Sequence, residues 1–168
     1  MSDAIRILIA GVGNELLSDD GVGIHAAREL QKDPLAGVEV LEIGTAILHG
    51  MSSLENVDRV LVIDAARGGQ PPGTVYLYEP ADDTRDRAVN SVHALGLRAA
   101  AGFLMADGTV PKFTVLGVEP ASLDCGMNLS ASVQAALPRV IALARQTVAG
   151  WRDGELTRAA GNLSLIES

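Results

Sequence analysis

A three-layer α/β/α sandwich built on a five-stranded, mostly parallel mixed sheet is the α/β fold this sequence predicts. Three observations carry the prediction. Short apolar runs alternate along the chain with stretches whose apolar residues recur at helical spacing. A glycine-rich loop, Gly11 to Gly23, joins the first apolar run to the first helical stretch. The connector before the fourth apolar run is shorter than the crossover of about a dozen residues that a parallel return needs. Strand four is therefore expected to run antiparallel to strand three.

Each element has a local reason. Ile5 to Ala10 reads as a first strand, apolar on both faces as a central parallel strand should be. After the glycine loop, Val22, Ala26, Ala27 and Leu30 make an apolar helical stripe, with His25, Arg28, Glu29 and Lys32 opposite. Asp33-Pro34 ends that helix. Val38 to Ile43 is the second strand. Gly44-Thr45 opens a second helix with Ile47, Leu48, Met51 and Leu54 on one face. Arg59 to Ile63 is the third strand, ending at Asp64. The Gly- and Pro-rich connector Ala65 to Pro72 leads to strand four, Thr74 to Tyr78, and Asp82 to Arg87 reads as a charged surface loop.

Ser91 to Met105 predicts a helix apolar nearly all round and hence buried, with His93 and Arg98 as its strongly polar side chains. Lys112 to Val118 is strand five. Ser130 is placed to cap a last helix through Ala149, in which Pro138 is expected to make a kink or a break. No repeat, low-complexity segment or internal boundary interrupts the chain. Residues 1–151 read as one α/β domain and 152–168 as a loose C-terminal tail.

Composition narrows the function. A chain of 168 residues supports a real core, and at 48% hydrophobic but 3% aromatic that core is aliphatic. A net charge of −8 argues against a nucleic-acid groove, which needs a basic face. A single cysteine, Cys125, forms no internal disulfide. With no signal-peptide pattern and no apolar run near bilayer length, the expectation is a cytoplasmic protein that does not engage a membrane.

The chemistry is expected at the carboxyl ends of the strands, near the switch in strand order. Three loops bring candidates there: Asp19 and Asp20 in the first, Asp64 at the end of strand three, and His93 in the first turn of its helix. If strands two and three flank strand one on opposite sides, Asp20 and Asp64 converge and His93 faces the same crevice. Two carboxylates and one imidazole suit a borderline divalent metal, with coordination positions left open.

Plainer readings stand beside these. Asp20 could cap the helix that follows, but one acid suffices for a cap and the loop has two. Asp19 divides between cap or loop brace and function. Asp64 could be a turn residue, and His93 a core histidine with a partner. His25 and His49 lie on polar helix faces and read as solvated, and Glu15 is a secondary candidate. Cys125 has neither a following helix N-terminus nor a nearby cation, so it reads as a small semi-buried residue rather than a nucleophile. A Gly-x-Ser-x-Gly elbow and an Asp-Thr/Ser-Gly signature are both absent. The dinucleotide fingerprint fails because Leu16 stands where its third glycine belongs.

Gly11-Val12-Gly13-Asn14, Leu16, Asp19-Asp20-Gly21 and Gly23 resemble the opening motif of the nickel–iron hydrogenase maturation endopeptidases. The resemblance continues through Gly44-Thr45-Ala46, Ile63-Asp64-Ala65, His93 with Leu95-Gly96-Leu97, and Leu116-Gly117-Val118-Glu119-Pro120. It spans Ile5 to Ala149. It implies a phosphorylase/hydrolase-like fold with strand five between strands three and four. It implies a peptidase that removes the C-terminal extension of a hydrogenase large-subunit precursor once nickel is in place. Its metal-contacting positions fall on Asp20, Asp64 and His93, which are then both catalytic and metal-reading. Some members carry glutamate where Asp20 stands. Nickel would arrive with the precursor, and no permanent cofactor is expected. Two alternatives remain on the residues: a peptidyl-tRNA hydrolase-like enzyme, which shares a Gly-x-Gly-Asn start but wants a basic face, and a non-catalytic metal sensor on the same scaffold.

Overall fold

The first apolar run forms strand β1 at Ile7–Val12, two residues later than expected, in the computed structural model, which describes residues 5–80, 89–105, 109–154 and 164–165. Every residue of β1 is buried. The other long strands are β2 (Val38–Gly44), β3 (Arg59–Ala65), β4 (Val75–Tyr78) and β5 (Lys112–Val118). The helices are α1 (Val22–Lys32), α2 (Met51–Leu54), α3 (Val92–Leu104) and α4 (Ala131–Arg152).

The strands form one sheet in the order β2-β1-β3-β5-β4, with a two-residue strand β6 (Ser164–Leu165) on the outer edge of β4. β1 pairs parallel with β2 and β3, and β3 parallel with β5. β4 pairs antiparallel with β5, so it opposes β3 as the short connector requires. Because β1 lies between β2 and β3, the strand order reverses at β1, and a crevice opens between the carboxyl ends of β1 and β3.

The strands' period of two sorts the core into two layers. Ile7, Ile9, Leu61 and Ile63 face Val22, Ala26 and Leu30 of α1 and Val133, Leu137 and Val140 of α4. Leu8, Ala10, Val60 and Val62 face Leu54 of α2 and Ala94, Leu97 and Ala101 of α3. This is the expected three-layer sandwich. Strand β2 is an edge, and only Ile43 within it is buried, which accommodates its two glutamates.

Three local expectations are corrected and one is narrowed. The second helix is a 3-10 turn, Ile47–Gly50, running into the single turn of α2. Leu48 consequently leaves the apolar face and is exposed, while Leu54 is fully buried. Helix α3 is not buried all round: Val92 and Phe103 are exposed, because α3 covers the sheet from outside and nothing described lies over it. Helix α4 continues past Pro138 without the break that was one of the two expectations there, and Pro138 sits on its exposed side. There water can satisfy the carbonyl that proline's missing N–H leaves free. Cys125 is exposed rather than semi-buried. The charged loop 82–87 lies outside the described residues, as does the side chain of His49. Among the described residues, no helix is long and apolar enough to cross a membrane.

Candidate metal-reading site

The loop between β1 and α1 turns sharply because two glycines permit it. Gly13 has φ +116°, and a Cβ there would lie 1.9 Å from the backbone oxygen of Asp20. A Cβ on Gly23 would lie 2.1 Å from the carbonyl oxygen of Ile63. These close approaches bring the start of α1 against β3 and carry Asp20 toward the end of that strand.

Asp20 does not cap α1, whose N-cap is Gly21 without a side-chain bond. Its Oδ2 instead accepts the backbone N–H of Asn14 at 2.9 Å across the turn. Asp64 is the penultimate residue of β3 and fully buried. Its Oδ1 accepts from the N–H of Ala65, and its Oδ2 accepts from the Ser91 hydroxyl. His93 is the second residue of α3. Its Nδ1 lies 3.3 Å from Asp64 Oδ2 and its Nε2 lies 3.9 Å from Asp20 Oδ2. One ligand atom from each of Asp20, Asp64 and His93 lies within 4.8 Å of the others. All three residues picked out in the sequence therefore meet at the crevice.

Burial pushes the Asp64 carboxyl above its usual range, against the opposing pull of His93 and Ser91. The hydrogen-bonding contact with Asp64 raises the His93 pKa, and burial only partly offsets it. The close approach of this imidazole to Asp64 thus favours its protonated form more than in a free histidine. The set of two carboxylate oxygens and one imidazole nitrogen matches what a borderline divalent ion such as nickel accepts.

Asp19 turns the other way. It is fully buried, and its carboxylate accepts the N–H groups of Ala121, Ser122 and Ser130 at 2.8, 3.0 and 2.7 Å. Burial raises its pKa, but those N–H donors outweigh burial and leave it below the usual carboxylate value. Asp19 is a brace between the glycine loop and segment 119–130. Backbone bonds from Ser18 to Gly126 and from Gly126 to Leu16 complete the seam. Glu15 lies outside the cluster and pairs with Arg28 at 2.7 Å. His25 is half-buried on α1 and joins no cluster.

Two residues went unnoticed in the sequence. Ser91 donates to Asp64 and also caps α3, its hydroxyl accepting from the N–H of Ala94. A serine opening the helix that carries His93 was its available signal. Glu119 is buried just beyond β5, where it accepts from the N–H of Gly68 and from the Tyr76 hydroxyl. It thereby fixes the connector that follows Asp64. The rule that singled out Asp64, an acid at the end of an apolar strand, applies to it equally. A cleft of about 650 Å³ lies at the amino ends of β1, β3 and β5, lined by Arg6, Asp58, Arg59 and Lys112, but it holds no histidine.

Comparison with known proteins agrees with this geometry. The hydrogenase maturation protease (HycI) family model matches residues 24–147, a span that includes Asp64 and His93 and begins just after Asp20. The hydrogenase 2 maturation protease of Escherichia coli K12 is 31% identical over 153 residues, covering 85% of this chain and 93% of that protein. The hydrogenase expression/formation protein HupD of Rhizobium leguminosarum bv. viciae is 30% identical over 167 residues, 94% of this chain and 81% of that one. Among solved structures, the maturating endopeptidase HybD of E. coli superposes with a TM-score of 0.73 at 29% identity, covering 89% of this chain and 94% of that one. The [NiFe] hydrogenase maturation protease HybD of Thermococcus kodakarensis gives 0.74 at 29% identity, covering 85% and 99%. Fold, sequence match and relatives agree that the chain belongs to the hydrogenase maturation protease family, whose members are peptidases.

Proposed function

We propose that this protein is the endopeptidase that removes the C-terminal extension from a [NiFe]-hydrogenase large-subunit precursor after nickel insertion. In this reading, Asp20, Asp64 and His93 contact the nickel already held by that precursor. The observation that carries it is the convergence of two carboxylates and one imidazole at the crevice of a protein of this family. The ion belongs to the substrate, so an unloaded precursor lacks its docking point. The working unit is residues 1–151, acting in the cytoplasm on a protein partner rather than on nucleic acid. Leu16 and Val92, 58% and 79% exposed, stand beside the acidic loop and His93 and offer apolar contact to a docked protein.

Nickel in this position supplies Lewis-acid polarisation of a carbonyl or an acidified water. The chain's own contribution is selective. Asp64 is sealed from solvent, whereas the Asp20 side chain keeps 13% of its surface open. Of the two carboxylates, Asp20 is the one more open to attacking water and so better placed to take its proton. The His93 side chain, 25% exposed, presents its Nε2 on the same open side.

A processing assay on purified precursor, with and without nickel, tests the reading. The loaded precursor is expected to shorten by its extension, and the nickel-free one to remain intact. Equal cleavage of both forms would remove nickel as the checkpoint.

A further inference from the structure

We propose that Ser91 is a positioning residue that sets Asp64 and His93 against each other as one preformed pair of metal contacts. The inference rests on the metal-reading assignment above.

A serine hydroxyl has one proton to give. Here it goes to Asp64 Oδ2, the same oxygen that faces His93 Nδ1 at 3.3 Å. The lone pairs of that hydroxyl receive the N–H of Ala94, one residue beyond His93. Donor and acceptor functions are therefore both committed, and each end fixes one member of the pair. The donated bond orients the carboxylate. The accepted bond sets the first turn of α3, and with it the origin of the imidazole. Ser91 is only 2% exposed, so water does not substitute for it.

Backbone bonds hold the same two segments together. Arg67 and Asn90 exchange N–H···O=C bonds at 3.1 and 3.0 Å, tying the residues after Asp64 to the residue before Ser91. Removing the Ser91 hydroxyl thus leaves the segments in place and frees only the side chains. The requirement is one of orientation. Asp64 Oδ2 has to keep one direction for the ion while its other lone pair is occupied, and outer hydrogen-bond partners of this kind commonly set ligand geometry.

Three variants separate this role from helix capping. Glycine is a tolerable N-cap and alanine a poor one, whereas neither donates a side-chain hydrogen bond. Threonine keeps a hydroxyl able to serve both functions. The probe is Ni²⁺ alone, titrated calorimetrically into the full chain, with thermal unfolding of the metal-free protein measured in parallel. Ser91→Gly and Ser91→Ala are each expected to weaken Ni²⁺ binding by about 10- to 100-fold. Only Ser91→Ala should also lower the unfolding midpoint clearly, and Ser91→Thr should restore both. Wild-type affinity in Ser91→Gly overturns the proposal, as does an affinity loss that follows the cap and appears only in Ser91→Ala. Asp64→Ala is the control. If it too binds Ni²⁺ like the wild type, the metal-reading assignment falls and the Ser91 role with it. If Asp64→Ala loses binding while Ser91→Gly does not, the Ser91 role alone is wrong.

Discussion

The loop between β1 and α1 has one side against segment 119–130 and another against the ends of β3 and α3, and an aspartate faces each. On the first side, Asp19 is fully buried and takes three backbone N–H donors. On the second, Asp20 takes one N–H, from Asn14, on the same Oδ2 that lies 3.9 Å from His93 Nε2. The two residues are adjacent and chemically identical. What separates them is how completely the fold satisfies the charge. A carboxylate whose lone pairs are filled by amides is structural. One left short of partners, beside a second acid and an imidazole, is available to a cation brought from outside. At Asp64 burial outweighs the hydrogen bonds, and the net effect of the fold is to raise its pKa, the opposite of the outcome at Asp19. The brace side of the loop stabilises the fold, and the crevice side is held at some expense to stability.

The largest effect expected from this contrast is on cleavage. Alanine at Asp20, Asp64 or His93 should slow precursor processing on the order of 1,000-fold, read as the rate of appearance of the shortened large subunit on a gel. Alanine at Asp19 should reduce it only as far as it reduces the folded fraction. If cleavage survives all three crevice variants, or if Asp19 variants that remain folded are equally dead, the division between the two sides is wrong.

Stability should show the opposite order. Asp19→Asn weakens a charge-assisted cluster and sets an amide N–H against backbone donors, costing about 2–3 kcal/mol in urea unfolding. Asp64→Asn removes a charge the fold disfavours but sets its amide N–H against one of the two donors that face the carboxylate, so its urea midpoint at neutral pH should fall by less than that of Asp19→Asn. The pH dependences have opposite signs. The Asp19 pKa is depressed on folding. Its contribution is present above the unfolded value, about 3.9, and is lost as pH falls through the folded value. The Asp64 pKa is raised on folding. Its ionisation therefore withdraws stability as pH climbs from the unfolded value through the folded one. In Asp19→Asn the acid limb of the stability curve should flatten. In Asp64→Asn the loss on going from acid to neutral pH should shrink. An unchanged acid limb in Asp19→Asn would mean that other carboxylates govern acid unfolding.

Much of this was legible in residue patterns. Four apolar residues in a row, Val60 to Ile63, followed by an acid, place Asp64 at a strand end from the sequence alone. A connector of about eight residues forces β4 to reverse. The position of β5 between β3 and β4 came only with the family resemblance, since local periodicity says nothing about which strands pair. Misreadings arose where local pattern and tertiary packing disagree. Ile47, Leu48, Met51 and Leu54 keep helical spacing, but a Cβ on Gly50 would meet Ile43 at 2.6 Å, and the backbone there takes a 3-10 turn that turns Leu48 outward. Ser91 and Glu119 were missed for a different reason. Their positions, a helix start and a strand end, were signals, but their partners are 27 and 51 or 43 positions away in the chain, and the local sequence does not say which bonds those side chains make.

The smallest effect belongs to the loop's third acid. Glu15 lies within five residues of Asp20, yet its carboxylate turns outward to Arg28, which also holds Glu42 at 2.9 Å. The Arg28 hydrogen bond lowers the Glu15 pKa, but the Glu15 side chain is 37% exposed, so solvent screens most of the pairing. Glu15→Gln keeps a hydrogen-bond acceptor for Arg28 and should change stability by about 0.5 kcal/mol or less, an effect that fades further in high salt. Processing should be within about twofold of the wild type, since no group that touches the crevice has moved and Arg28 retains Glu42. A loss of cleavage with unchanged stability would show that Glu15 swings inward when the precursor docks. The crevice would then recruit a second acid from its own loop, and the line between brace and site would have to be redrawn around Arg28 as a latch.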